Sequence, residues 1–343
     1  MNKHPYCPDI FESSLSRRGF FRGMAGGAAG LALLSAGQAN SASALEKTSH
    51  VSLVAGTDRR DMVYQALKPF EKEVKESIKG KQVIVKPNMV TTNVPLCATH
   101  ADALRGLLDF LKPICRGQVL IAESTMSKEG SFKGFENYGY LPLEKEYKAK
   151  LVDLNKQTFT VKWILGKEHR PLGIRIIDAF LDPKNYFISI TRLKTHDTVV
   201  ATLTGKNMFM SAPLNDYTKS DKSLMHQGIK EINFNLFQVA GSVRPQLAVL
   251  DGVEGMQGNG PIRGIPAPHG VALASTDFVS ADRIGSELMG IDFADIGYLN
   301  YCAQAGYGQG DRTKIEVVGE DVGKHVVKYQ MHEKFQEQLG WKV

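Results

Sequence analysis

Short apolar runs recur along the chain at intervals that suit a layered fold. Residues 51–55, 83–85, 119–122, 186–190, 247–250 and 271–274 are dominated by β-branched and aliphatic side chains. Gly, Pro or charged residues close each run, which is the pattern of a buried strand. Between the runs lie apolar positions at helical spacing, over 61–78 (where Pro69 kinks or splits the helix), 101–111, 224–239 and 278–289. Strands alternating with helices predict an α/β fold with a largely parallel sheet flanked by helices. Residues 159–163 alternate apolar and polar instead, which suits a half-buried strand paired antiparallel with 174–177, a smaller β insertion. The stretch 324–343 is polar and amphipathic and reads as a peripheral helix or tail.

Polar motifs follow directly after four of the runs. Lys86-Pro87-Asn88 follows 83–85, and Glu123-Ser124-Thr125 follows 119–122. Thr191 to His196 follows 186–190, and Asp251-Gly252-Val253-Glu254 follows 247–250. In open parallel sheets ligands bind in the crevice beyond the carboxyl ends of the strands. If these strands share a sheet, the four motifs line one cleft; the plain alternative is that each is a polar turn at a strand end.

Within that cleft the expected chemistry falls to Lys86, Lys194, His196 and Lys206. Clustered lysines attract carboxylates or phosphates and lower one another's pKa. Lys194 and His196 lie two apart and project to one side of an extended segment. Asn88 and Asn207 add neutral donors and acceptors. Residues 251–270 read as a long constrained loop rich in Gly and Pro, whose Gly258 and Gly260 suit close backbone approach or an anion nest. Asp251 and Glu254, with His226 at the start of a helical pattern, make a candidate set for a hard cation or for proton transfer. Cys97 and His100 suit a metal or a thiolate–imidazolium pair, against a buried inert thiol. Asp277 suits a helix N-cap.

The N-terminal segment changes the compartment. Arg17 and Arg18 precede an apolar, glycine-rich stretch over 23–36, and Ala42-Ser43-Ala44 follows as a small-x-small cleavage pattern. These elements predict a twin-arginine signal over 1–44, cut after Ala44, a periplasmic or otherwise exported product, and the export machinery as a partner. The segment holds four basic and two acidic side chains, so its loss takes the net charge from +6 to +4. That balance argues against a nucleic-acid partner. Beyond residue 44 no apolar run is long enough to span a bilayer, so the mature form is not expected to cross one. Cys97, Cys115 and Cys302 remain, too few for a four-cysteine iron–sulfur or zinc site within one chain.

The motifs also carry a resemblance. Val-Ile-Val-Lys-Pro-Asn (83–88), Leu-Lys-Thr-His (193–196), Gly-Lys-Asn (205–207), a following His226, and Leu-Asp-Gly-Val-Glu-Gly-Met-Gln-Gly-Asn-Gly-Pro (250–261) stand in this order. With 274–282, which contains Asp277 and Asp282, they resemble the family of domains of unknown function numbered 362, over about residues 50–292. The resemblance implies an α/β domain over roughly 45–323, as one unit or two lobes, without a settled activity. Many members of that family add a ferredoxin-like cysteine cluster, which this chain lacks. The family is also distantly similar to nickel-pincer lactate racemase, whose site is likewise rich in Lys and His. Residues and resemblance together lead to an exported enzyme whose Lys/His/Asp cleft takes an anionic small molecule or a metal-bearing cofactor. The alternatives are a carrier of a metal or cofactor without chemistry of its own, and an accessory subunit of a redox complex.

Overall fold

The computed structural model describes residues 48–342; the expected export signal lies outside them. In chain order the strands are β1 (Ser49–Ala55), β2 (Gln82–Lys86), β3 (Val119–Glu123), β4 (Ala149–Asp153), β5 (Phe159–Leu165), β6 (Pro171–Ile177), β7 (Asn185–Thr195), β8 (Ala201–Thr202), β9 (Leu247–Asn259), β10 (Arg263–Ser275) and β11 (Ile315–Gly319). Among the described residues, nine strands form one sheet in the order β11-β1-β10-β9-β7-β2-β3-β4, with β8 beside β7. Strands β9, β7, β2, β3 and β4 are parallel neighbours, and β1 is parallel to β11. Only β10 and β8 run against their neighbours. The fold is therefore mixed α/β with a large, mostly parallel sheet and a small antiparallel one.

Strand alternation splits the apolar residues into two layers. Ile84, Phe187, Leu193, Ala248 and Leu250 join one core with helices Ile229–Ala240, Phe278–Leu288 and Gly297–Gln304. Val83, Val85, Ile121, Ile188 and Val249 join the other with helices Arg59–Leu67 and Ala101–Leu111. Burial on both faces explains why these strands read as unbroken apolar runs. Each fully buried Val, Leu or Ile contributes roughly 1.5–3 kcal/mol before chain entropy is counted.

Most predicted elements form within a residue or two of their expected ends. Helix Ala101–Leu111 is capped by His100, whose imidazole accepts from the Asp102 amide. The 61–78 segment divides at Pro69 into Arg59–Leu67, a 3-10 turn and Glu71–Ser77. The expected antiparallel pairing of β5 with β6 forms, Phe159 with Ile177 and Lys162 with Ile174, but residues 159–163 are exposed rather than half-buried, because Thr160 and Lys162 and not the apolar side chains share the face of the buried Ile174 and Ile176. Three further expectations need correction. The 224–239 helix starts only at Ile229, and His226 sits in the turn before it. Residues 251–270 are not a loop: they are mostly the arms of a long β9–β10 hairpin. Their glycines misled, because in this hairpin they permit close crossing rather than irregularity. The C-terminal stretch is an irregular strap with one short helix, Phe335–Gln338. Its Gln338 is buried, accepting from the Val200 amide (2.8 Å) and donating to the His196 carbonyl (2.9 Å). The short edge strands β4 and β11 and the two-residue β8 were not anticipated.

Candidate functional site

A cavity of about 530 Å³ opens beyond the carboxyl ends of β2, β3 and β7. Lys86, Asn88, His196, Lys206, Asn207 and His226 all line it. So do Glu123, Ser124, Asp197 and Lys222. Three of the four strand-end motifs thus meet at one crevice, as the parallel sheet dictates.

The lysines differ in how their ammonium groups are used. Lys86 is fully buried and donates to the Pro87 carbonyl (2.5 Å), Glu123 Oε2 (2.7 Å) and Asn207 Oδ1 (3.3 Å). Three acceptors match the three donors of a charged ammonium. Burial pushes Lys86 down and Glu123 up. We read a charged pair, because Glu123 Oε1 also accepts from the Ser124 amide at 2.7 Å. Lys222 likewise has three acceptors: Ser124 Oγ (3.1 Å), the Met210 carbonyl (2.7 Å) and the Ser211 carbonyl (2.9 Å). Burial pushes it well down from the ordinary lysine range.

Lys194 lies within β7 and points away from the cavity wall, donating to Asn88 Oδ1 and the Cys97 carbonyl. Burial lowers it to about 7. Lys206 stands apart. It is only 6% exposed, it lines the cavity, and its ammonium has no protein hydrogen bond or ion pair among the described residues. Burial lowers it to about 8, with Asp197 pulling the other way. Its backbone is set firmly: helix Thr204–Phe209 begins with the Thr204 and Gly205 amides donating to buried Asp282 (2.8 and 2.9 Å).

His196 follows β7. The Thr198 amide donates to its Nδ1 at 3.0 Å, which fixes Nδ1 as an acceptor and leaves the ring proton on Nε2. Asp197 Oδ1 also lies 3.0 Å from Nδ1. Both cannot be hydrogen bonds to a neutral ring, and the rigid backbone donor decides the tautomer. Burial and then Lys206 lower His196 to about 3, so the ring is neutral. Burial alone would raise Asp197, but the nearby Lys206 ammonium pulls it the other way, and it lies below the usual carboxylate range. His226 is more exposed at the cavity edge, yet burial of part of its ring and Lys206 lower it to about 4.

Asn88 and Asn207 form a buried link between strands and helix. Asn88 Nδ2 donates to Asn207 Oδ1 (3.0 Å), while Asn207 Nδ2 donates to the Lys86 carbonyl (3.1 Å) and Ser189 Oγ (3.0 Å). Both face the cavity with most of their polar capacity already taken.

The remaining predicted residues lie elsewhere. Asp251 is buried beside Arg59, whose Nε donates to Oδ1 at 3.1 Å. Glu254 is half-exposed and pairs with Arg192 at 3.1 Å. Neither lines the cavity with His226, and among the described residues no three His, Cys, Asp or Glu side chains come together to hold a metal ion. Gly258 and Gly260 also stand off the cavity wall, and their amides are used by the Gln330 and Gly258 carbonyls. A Cβ on Gly260 would come within 2.2 Å of the Thr195 carbonyl. Glycine there lets the hairpin tip cross the end of β7, so that Pro261 and Ile262 cover one side of the cavity. Cys97 is buried and donates to the Val94 carbonyl, and His100 is spent on its cap. Asp277 caps helix Phe278–Leu288, as its position predicts.

Two cavity residues escaped the sequence reading. Asp197 immediately follows His196, and nothing in its sequence neighbourhood marks it as a cavity residue. Lys222 sits in a polar stretch, Thr218 to Ser223, where nothing in the sequence marks it as buried. Glu123 was seen as part of a strand-end motif but not as the partner of Lys86.

The fold and cleft define an α/β protein with a lysine-rich crevice at its strand ends. The chain belongs to the family described as a domain of unknown function, DUF362, whose model matches residues 83–287. That span holds every cavity residue named above. A thylakoid-associated protein of Synechocystis sp. is 28% identical over 224 residues, which cover 63% of this chain and 65% of that protein. The chain therefore matches just under two thirds of that relative's length. A crystal structure of a Thermotoga maritima protein is similar over 74% of this chain and 59% of that one, at 10% identity and a TM-score of 0.35. Among the described residues no helix is long and apolar enough to cross a membrane.

Proposed function

We propose that this chain is an enzyme whose cleft binds a small anionic molecule, with Lys206 as the cation that recognises it. One observation carries the reading: among the described residues, of four buried lysines, Lys206 alone faces the cavity without a protein acceptor. An ammonium that faces a cleft without a protein acceptor is left for a ligand or solvent to complete. A carboxylate or phosphate does so by a charge-assisted hydrogen bond. Neutral His196, with its proton on Nε2, supplies a donor for a second ligand oxygen.

In its charged form Lys206 is suited to stabilise the negative charge that develops when a bound carboxylic acid exchanges a C–H proton. His226, lowered to about 4 and so neutral, lies close enough to feel Lys206 and is the candidate base at the cavity wall. The test has two arms. Inorganic phosphate and a panel of small carboxylates should raise the melting temperature of the protein, and Lys206→Ala should abolish the shift. Incubation of the carboxylates in heavy water should then show protein-dependent deuterium incorporation by NMR, lost in the same variant. Anion shifts that persist in Lys206→Ala would overturn the binding role. Shifts that vanish in the variant, without any deuterium exchange, would favour a carrier over an enzyme.

Among the described residues no three His, Cys, Asp or Glu side chains converge, so the proposal is not built on a bare metal ion. A metal-bearing cofactor held through its own anionic group remains compatible with the Lys206 reading, and no step is derived through one.

Export through the twin-arginine route belongs to the same proposal and rests on Arg17, Arg18 and the Ala42-Ser43-Ala44 pattern. The thylakoid association of the Synechocystis relative supports a place at a membrane. Periplasmic protein should begin at Leu45, and lysine at both arginines should trap the precursor in the cytoplasm. Normal export of that variant would contradict the route.

A further inference from the structure

The β5–β6 hairpin carries a surface that the cleft does not explain. Directly paired residues share a face. Lys162 with Ile174 and Ile164 with Leu172 form the inner face, which buries Ile164, Ile174 and Ile176 in the core. Asn235 of helix Ile229–Ala240 holds this hairpin in place, bonding both the amide and the carbonyl of Leu165 (2.8 and 2.9 Å). The outer face presents Phe159, Val161 and Trp163, which are 46%, 52% and 67% exposed. Single exposed apolar residues are ordinary. Three at alternate positions of one strand form a stripe on the face where a solvated hairpin would carry polar residues.

The charge toward the hairpin tip is mostly basic, while at its base Asp178 accepts from Thr160 Oγ1 at 2.7 Å. Lys156, Lys162, Lys167 and Arg170 are all exposed on the hairpin or its approach. Glu168 is the one acid between residues 156 and 173, and it lies 3.2 Å from Arg170. Arg175, at the base, is already neutralised by Asp216 and Asp221. An amphipathic ring beside apolar side chains and basic residues is the composition that settles at a lipid–water interface. A second copy of this chain fits worse, because it would set two positive hairpins against each other.

We propose that this hairpin docks the protein on an anionic lipid surface. Trp163, Val161 and Phe159 enter the interfacial layer, while Lys156, Lys167 and Arg170 meet headgroup phosphates. The proposal is independent of the ligand in the cleft and stands if that reading fails.

Tryptophan fluorescence tests it directly, because the chain has only two tryptophans. Trp341 is anchored by its indole N–H to the Asp295 carbonyl at 2.9 Å, so a spectral change reports Trp163. Full-length protein would be mixed with vesicles of phosphatidylglycerol and phosphatidylcholine, and with phosphatidylcholine alone. The expected result is a blue shift and co-sedimentation on the anionic vesicles only. Both should weaken in high salt, where charges more than about 3–5 Å apart are screened. A Phe159→Ser/Trp163→Ser variant with an unchanged melting temperature should bind at least tenfold more weakly. It keeps residues 1–44, so binding through that segment would persist in it. Equal binding by wild type and variant, or none by either, would overturn the proposal. So would a concentration-dependent dimer that the variant abolishes, which would make the stripe a self-interface.

Discussion

Two regions of the main sheet follow the same sequence rule and end differently. At β2 and β3 the strand ends on the first motif residue, Lys86 and Glu123, while β7 runs on through its motif to Thr195 and leaves the sheet at His196; these three side chains reach the cavity. At β9 an equally apolar run leads into Asp251-Gly252-Val253-Glu254, but the strand continues to Asn259 and returns as β10. Asp251 and Glu254 are then taken by Arg59 and Arg192. A polar residue after a buried strand becomes part of a crevice only where the chain leaves the sheet. Where an antiparallel partner extends the ladder, the same residue becomes an internal ion pair.

The sharpest way to break this contrast is at the buried pair. Lys86→Met leaves Glu123 enclosed without its counter-ion and should cost about 3–5 kcal/mol in urea unfolding. A loss below about 1 kcal/mol would mean that the pair is not charged. Adding Glu123→Gln to the variant should recover part of the deficit.

A smaller effect is expected from His196. Its folded pKa is held at about 3, below the ordinary histidine value of 6.5. The stability it contributes is present above pH 6.5 and is lost as pH falls toward 3. His196→Gln should flatten the acid limb of stability against pH, by on the order of 2 kcal/mol. Buried Asp282 is raised to about 7 by burial and works in the opposite sense, its contribution being lost as pH rises through 7. Comparing variant with wild type cancels that term. An unchanged acid limb would show that His196 is not buried neutral.

The smallest change separates the two regions most cleanly. Asp251→Asn should lower stability by about 1–2 kcal/mol, since Arg59 is partly solvated. Anion affinity should stay within about twofold of wild type, well under the tenfold set by 1.4 kcal/mol. Unchanged stability with lost anion binding would return Asp251 to the site.

Much of the scaffold was legible because its periodicities are strong. Ala101–Leu111 follows directly from apolar spacing, whereas the alternation over 159–163 suits a half-buried strand and all five of those residues are exposed. Short edge strands such as β4 and β11 bury few residues and leave little pattern to read. That Lys86 and His196 end at one crevice was legible from the parallel-sheet rule; Lys206, on helix Thr204–Phe209, and His226, in a turn, are brought there by the fold and not by that rule. Which lysine is free was not legible, because that depends on acceptors from distant segments: Asn88 and Cys97 for Lys194, and Met210 and Ser211 for Lys222. The strap was misread for the same reason. Gln338 looks like a surface helix residue until it is seen completing the backbone of His196 and Val200.

The central claim is that Lys206 is the ligand-seeking charge of the cleft. Calorimetric titration of inorganic phosphate and of pyruvate into wild type and Lys206→Met, from pH 6.5 to pH 9.5, tests it most directly. The account predicts that at least one anion binds wild type with constant affinity up to about pH 8. Above that, binding should weaken by up to tenfold per pH unit as the ammonium is lost, and Lys206→Met should bind weakly at every pH. Equal affinity and equal pH dependence in the two proteins would contradict it.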